Sequence, residues 1–135
     1  MAANDLIISE ADGSISFGNH TLKEKTKVEN FPHGGDLYKV KTYTTLTKLE
    51  KNGLFLYESE PGTTVKNLKE DENGVSFTVF GDEDAQITVG LEENTEYEVV
   101  AGGENLGKIN TGLKGKISVS LELAGAGEVQ VSLTK

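Results

Sequence analysis

Two acidic segments carry the side chains with the clearest capacity for chemistry. Residues 71–74 read Asp-Glu-Asn-Gly, and residues 82–84 read Asp-Glu-Asp. Carboxylate and amide oxygens on loops are the ligands that a calcium ion prefers, although neither segment has the twelve-residue pattern of a helix-loop-helix calcium site. Acidic turns also keep loops solvated, which is their more general role. The candidate calcium ligands are Asp71, Asn73, Asp82 and Asp84, and the sequence assigns no other metal ligand.

The residues for nucleophilic catalysis form no recognisable motif. The chain has two histidines, His20 and His33, and no cysteine. Serines and acids are plentiful, so the composition permits a serine–histidine–acid triad, but the glycine-x-serine-x-glycine elbow and the phosphate-binding loop are both absent. Acids such as Glu58 and Glu60 alternate with apolar residues, which is typical of the solvent face of a strand. We therefore expect that the protein is not an enzyme and has no catalytic residue and no cofactor.

The charge balance disfavours several classes of partner. All thirteen basic residues are lysines, and 22 acidic residues bring the net charge to -9. This charge repels phosphate backbones and anionic membrane surfaces. Without arginine, the chain also has no planar, two-pronged donor for a carboxylate or a phosphate. We expect no nucleic-acid partner and no insertion into a membrane.

The beginning of the chain carries no pattern of a targeting segment. The apolar run Leu6–Ile8 is far shorter than the apolar stretch of a secretion signal, and no basic residue precedes it. Residence in the cytoplasm is the default expectation, and association with a surface or particle is the alternative.

The elements that must position these residues are predicted to be strands. Apolar residues recur at every second position in several segments, most clearly from Lys116 to Leu123 and from Val129 to Leu133. A turn at residues 124–127 predicts that these two segments form a hairpin. Leu54, Phe55, Leu56 and Tyr57 are apolar on both faces, as in a central strand. The sequence predicts an all-β, antiparallel β-sandwich or barrel-like fold with about ten strands. Residues 1–135 form a single β domain, with two lobes at 1–73 and 74–135 as the alternative.

Three dipeptides have the composition of tight hairpin turns: Asp12-Gly13, Asn52-Gly53 and Asn73-Gly74. A two-residue loop at the first sets Ile8 opposite Phe17, and one at the second sets Leu49 opposite Leu56, so apolar residues meet in both hairpins. The same loop at the third dipeptide would place an acid opposite an aromatic residue. We therefore expect a longer turn there.

The C-terminal half has a feature of fibronectin-like and immunoglobulin-like sandwiches. The segment from Leu91 to Val99 resembles the corner of those folds, in which a tyrosine hydroxyl bonds back to nearby backbone. Tyr97 is the tyrosine in question. Three further strands are predicted after it, more than such domains usually have. The corner indicates the fold of this half and says nothing about its function.

The aromatic residues suggest one alternative to a purely structural role. Four tyrosines and five phenylalanines could present a stacking face to a glycan, although tryptophan is absent. Their agreement with the strand periodicity favours a place in the core instead.

Four segments of the chain are similar to one known group of proteins: Ile15–Leu22, Gly35–Lys41, Thr47–Gly53 and Glu83–Thr88. Together they resemble small bacterial proteins of similar length that carry the label "endosialidase", and the likeness extends over nearly the whole chain. Taken literally, the label implies cleavage of polysialic acid. Sialidase sites as a class hold the sugar carboxylate with arginines, and this chain has neither arginine nor tryptophan. We therefore transfer no functional residue from the resemblance.

These observations favour a function exerted through surfaces. The leading hypothesis is a non-enzymatic structural or interaction protein that self-associates as a homo-oligomer, because the edges of many strands must be paired, covered or charged. The first alternative is a carbohydrate-binding module in which the loop acids hold calcium. The second is a glycoside hydrolase, the endosialidase of the label, using a pair of carboxylates.

Overall fold

The protein folds into two antiparallel sheets. The computed structural model describes residues 6–135, which contain thirteen strands. Their bounds are β1 Ile7–Ser9, β2 Ile15–Phe17, β3 Thr26–His33, β4 Asp36–Thr42, β5 Thr47–Lys51, β6 Leu54–Glu60, β7 Thr64–Asp71, β8 Gly74–Phe80, β9 Ala85–Gly90, β10 Glu96–Ala101, β11 Glu104–Asn110, β12 Lys116–Leu121 and β13 Val129–Thr134. Within residues 6–135, no helix is long and apolar enough to cross a membrane.

The order of the strands confirms the predicted sandwich. The seven-stranded sheet runs β1-β2-β7-β8-β13-β10-β11, and the six-stranded sheet runs β12-β9-β6-β5-β4-β3. β1 contacts β3 across the sandwich, so these two edge strands lie on one side and β11 and β12 lie on the other. Each sheet contains strands from both halves of the chain. The predicted number of about ten strands was too low, because β3 and β7 carry bulges and many charged residues that hide their alternation.

The inward faces of the two sheets form one hydrophobic core. Tyr57, Phe77 and Tyr97 are among the largest fully buried side chains. The Tyr57 ring lies edge-on to Phe17 and Phe77, with ring centroids 5.2 Å and 5.6 Å apart. These edge-on contacts are a favoured aromatic geometry. β6, which carries Tyr57, lies inside its sheet between β5 and β9, as its apolar composition predicts.

The hairpin predicted between β12 and β13 is wrong. β12 pairs with β9 in one sheet, whereas β13 lies between β8 and β10 in the other. Alternation shows which face of a strand is buried, and both strands do bury one face. It cannot tell whether a turn joins two neighbours in a sheet or crosses from one sheet to the other. Residues 122–128 make such a crossing.

Two predicted registers are also wrong. Ile7, not Ile8, lies opposite Phe17, because the connection between β1 and β2 spans residues 10–14 and is longer than two residues. The shift leaves Ile8 42% exposed. In the next hairpin, the two-residue turn at Asn52-Gly53 is confirmed, but a bulge after Leu49 sets that residue opposite Tyr57.

The third hairpin turn is shorter than expected. Asp71 lies opposite Gly74, so the turn consists of Glu72 and Asn73, one position earlier than the dipeptide that suggested it. The Asp71 carboxylate accepts hydrogen bonds from the backbone N–H groups of Asn73 and Gly74, at 2.8 and 3.2 Å. This cap compensates for the absence of a turn glycine.

The predicted tyrosine corner is confirmed. The Tyr97 hydroxyl accepts a hydrogen bond from the backbone N–H of Glu92 at 3.3 Å, and the ring is buried. The contact fixes the loop that connects β9, in one sheet, to β10, in the other.

Candidate functional site

One side of the sandwich is closed by a histidine. His33, on β3, lies between Ser9 and Gly13 from the β1 region of the opposite sheet. Its Nε2 donates to the Gly13 carbonyl at 3.1 Å, and in the neutral imidazole its Nδ1 then accepts from the Ser9 hydroxyl at 2.6 Å. This bridge ties the two sheets together at the β1/β3 side.

Three of the four edge strands carry features that discourage pairing with another chain. β1 has only three residues. β3 contains Pro32 and a bulge at which Asn30 has a positive φ of 56°. β11 has a register shift against β10, a glycine with φ of 94° at Gly107, and charges at Glu104 and Lys108. Short strands, prolines, bulges and charges are the usual protections of a sheet edge.

The fourth edge strand, β12, lacks these protections in its interior, although the charged Lys116 stands at its first position. Its ladder with β9 is regular from Lys116 to Leu121, with no register shift. The residues after Lys116 are Ile117, Ser118, Val119 and Ser120, so the strand interior has no charge, glycine or proline. Among the edge strands described in residues 6–135, β12 is the open one.

The direction of the free backbone groups on β12 follows from its ladder. The Leu91 N–H donates to the Gly115 carbonyl at 2.7 Å, in line with this register. Ser118 and Thr88 lie opposite each other with their hydroxyl oxygens 2.7 Å apart, the close approach of a pair without mutual backbone bonds. Bonded and unbonded pairs alternate in antiparallel sheets. The N–H and C=O groups of Lys116, Ser118 and Ser120 therefore point away from β9.

A groove of about 730 Å³ lies beside this edge, between β12 and the β10–β11 hairpin. Its apolar lining includes Leu106, Leu121 and Val129, and Glu104 and Glu122 also line it. Leu106 is 39% exposed, and Val119 on β12 is half-buried although it belongs to the inward face. The open edge is therefore accompanied by apolar surface that the fold leaves only partly covered.

A second groove, of about 520 Å³, opens at one end of the sandwich. Two of its lysines are paired with glutamates: Lys51 donates to Glu70 at 2.9 Å, and Lys135 donates to Glu92 at 2.8 Å. Glu70 raises the pKa of Lys51, and Glu92 raises that of Lys135. Neither histidine lines this groove.

The candidate calcium ligands are separated by the structure. Asp71 and Asn73 lie before β8, and Asp82 and Asp84 lie after it, at the opposite end of that strand. Asp84 accepts hydrogen bonds from the backbone N–H groups of Leu123 and Ala124, both at 3.1 Å. The described part of the chain, residues 6–135, brings no three histidine or acidic side chains together as a metal cluster would require.

His20 lies between a hydroxyl and a carboxylate. Its Nδ1 is 2.7 Å from the Thr64 hydroxyl, and its Nε2 is 3.4 Å from the exposed carboxylate of Asp82. The imidazole also packs edge-on against Phe80. Neither groove described above is lined by His20 or Thr64. The contact between His20 and Thr64 anchors the loop after β2 to the start of β7.

The largest polar feature missed by the sequence analysis is a buried hydroxyl cluster, formed by Thr42, Thr47, Tyr57, Ser59 and Thr63. All five side chains are at most 1% exposed. Thr63 joins the hydroxyls of Tyr57 and Ser59, and Thr47 joins Thr42 to the Thr63 backbone. No buried side-chain polar atom of the described residues is left without a hydrogen-bond partner. The cluster is therefore a fully satisfied structural network.

Burial of this cluster predicts a loss of stability in alkali. Desolvation raises the pKa of Tyr57 above its ordinary value of 10.0. Above pH 10 the unfolded chain loses this proton while the folded chain keeps it, so the free energy of unfolding falls as the pH rises. We expect Tyr57 to contribute a slope of about 1.4 kcal/mol per pH unit above pH 10. Urea unfolding at pH 9 to 11.5 measures the slope. In Tyr57→Phe this contribution should vanish, and equal slopes in the two proteins would contradict the assignment.

The aromatic side chains form no exposed platform. All four tyrosines and five phenylalanines lie within the described residues, and each is buried or half-buried. The sequence-based preference for the core over a stacking face therefore agrees with their positions.

Comparison with known proteins gives no further guide to the site. No protein-family model matches the chain, and neither the curated proteins nor the solved structures yielded a match. What the geometry defines is an all-β sandwich with one open sheet edge and a closed, internally bonded interior.

Proposed function

We propose that this protein is a non-enzymatic structural or interaction protein that self-associates through the open β12 edge. The observation that carries the proposal is the contrast among the edge strands: β1 is short and β3 and β11 carry register shifts, whereas β12 has a regular ladder and an interior without charge, glycine or proline. An exposed regular edge is a template for an added strand, whose main-chain bonds supply affinity and whose alternate side chains supply specificity.

The positions of the ionisable and apolar side chains support a binding role over a catalytic one. The end groove contains two lysine–glutamate pairs, and the side groove is lined by apolar residues and acids. His20 is occupied by Thr64 and Asp82, away from both grooves. Glycan binding receives less support, because no aromatic side chain stands exposed for stacking.

The test uses one backbone donor on the open edge. Ser120 is exposed, and its N–H points away from β9, so Ser120→Pro removes this donor without breaking the internal ladder. We expect wild-type protein to self-associate in a concentration series measured by sedimentation velocity and light scattering. Ser120→Pro should raise the dissociation constant at least about thirtyfold, the effect of losing two hydrogen bonds across the interface.

Ser120→Thr is the matched control, because it keeps the backbone N–H and suits a strand. It should associate like the wild type, and both variants should unfold at similar denaturant concentrations. A wild-type protein that stays strictly monomeric at millimolar concentration would overturn the proposal. So would association that Ser120→Pro leaves unchanged, since the contact would then lie elsewhere.

A further inference from the structure

We infer that β12 pairs with β12 of a second copy, antiparallel, about a two-fold axis through Val119. This inference rests on the proposed function and specifies its partner and its register. A two-fold axis makes the contact self-complementary and closes it at a dimer. The pairing joins the two six-stranded sheets into one continuous sheet across both copies.

The alternation of the strand limits the possible registers. Residues opposite each other in an antiparallel pair lie on the same face of the sheet. Ile117, Val119 and Leu121 face inward, while Ser118 and Ser120 face solvent. A symmetric pairing must therefore be centred on a residue and not between two. The alternation allows an axis through any residue of the strand, with Ser118, Val119 and Ser120 among the possible centres.

The backbone suits the axis through Val119. In this register Ser118 lies opposite Ser120 of the second copy, and both residues have outward N–H and C=O groups that can bond to each other. Val119 lies opposite its own symmetry mate in the closer, unbonded type of pair. The half-buried Val119 side chain is then covered, and Ile117 meets Leu121 of the second copy on the inward face.

The charges at the two ends of β12 select this register from the three. With the axis at Val119, Lys116 lies opposite Glu122 of the second copy, and the pair occurs twice. With the axis at Ser118, Lys116 would meet Ser120, and with the axis at Ser120 it would meet Ala124, beyond the strand.

Both charges are available for this pairing. Lys116 Nζ lies 4.2 Å from the centroid of the Phe55 ring, and it has no carboxylate partner within residues 6–135. Glu122 is exposed and also makes no ion pair in the described part of the chain.

Variants with a single introduced cysteine test the register directly, because the natural chain contains no cysteine. Under mild oxidation, Val119→Cys should form a disulfide-linked dimer. Ser118→Cys and Ser120→Cys should each stay largely uncrosslinked alone but crosslink when mixed. In this register, residue 118 of one copy is displaced by two positions from residue 118 of the other copy, and the same holds for residue 120. This separation is beyond the reach of a disulfide. The solvent-facing pair keeps the test valid if Val119→Cys fails to fold.

A charge exchange provides an independent readout. Lys116→Glu and Glu122→Lys should each raise the dissociation constant about tenfold, because each places like charges opposite each other twice. The double variant should return to near the wild-type value, and the effect of each single variant should shrink in high salt.

The outcomes separate this inference from the proposed function. If Ser120→Pro abolishes association but Ser118→Cys or Ser120→Cys crosslinks with itself, the open edge is the contact and the Val119 register is wrong. Absence of all crosslinks together with no rescue in the double charge variant would also overturn the register. If wild-type protein does not associate, both statements fail.

Discussion

Replacing Tyr57 with alanine is expected to lower the free energy of unfolding by about 4 to 5 kcal/mol. Tyr57 is 0% exposed at the middle of the core and lies edge-on to the rings of both Phe17 and Phe77. Truncation removes these contacts and leaves a cavity, and it also removes one of the two hydroxyl partners of the buried Thr63 hydroxyl. Since domains of this kind are stable by about 5 to 15 kcal/mol, the variant should be close to unfolding at room temperature.

Urea unfolding followed by circular dichroism measures this change, and Tyr57→Phe is the control that separates packing from hydrogen bonding. The phenylalanine variant keeps both ring contacts and loses only the hydroxyl, so we expect a loss of about 1 to 2 kcal/mol. If Tyr57→Ala cost no more than Tyr57→Phe, the ring would not be packed as described.

The fold class follows from the sequence because alternation is a local property. β12 and β13 both show it, and both bury one face as expected. Their assignment to different sheets is not local: it depends on which strands across the whole chain offer them a partner. The same limit applies to the open edge, since no residue within β12 reveals that only one side of the strand is paired.

Register was mispredicted where an extra residue enters a strand or a turn. The turn at Asn52-Gly53 has the expected composition and forms, with positive φ at both residues. The bulge after Leu49 then shifts the rest of the hairpin by one residue. Nothing in the dipeptide encodes that bulge, which depends on how β5 meets the core.

The buried hydroxyl cluster shows why polar interiors escape sequence analysis. Thr42 and Thr47 lie opposite each other in the β4–β5 hairpin, whereas Thr63 lies in the loop before β7, and a threonine on a strand ordinarily looks like a solvent-facing residue. Its burial becomes intelligible only when the partners are known, because a buried hydroxyl without one costs about 1 to 3 kcal/mol. The partners of His20 could not be predicted for the same reason, since Thr64 and Asp82 are far from it in sequence.

Replacing Thr47 with valine is expected to cost about 3 kcal/mol, although the two side chains have almost the same shape. The Thr47 hydroxyl donates to the Thr63 carbonyl at 2.8 Å and accepts from the Thr63 N–H at 3.0 Å. Because its one proton is used in that bond, the Thr42 hydroxyl must donate to Thr47 across 2.8 Å. Valine therefore leaves three polar groups without their partner in a region that water does not reach.

Two further variants make this test specific to the hydroxyl. Thr47→Ser keeps the oxygen and loses a methyl group, so it should cost about 1 kcal/mol. Thr78→Val makes the same chemical change on the outer face of the seven-stranded sheet and should stay within about 0.5 kcal/mol of the wild type. The network predicts the order Thr78→Val, then Thr47→Ser, then Thr47→Val in increasing loss of stability under urea. A Thr47→Val variant as stable as Thr47→Ser would mean that the hydroxyl bonds do not hold the loop before β7 in place, because shape alone would then account for the site.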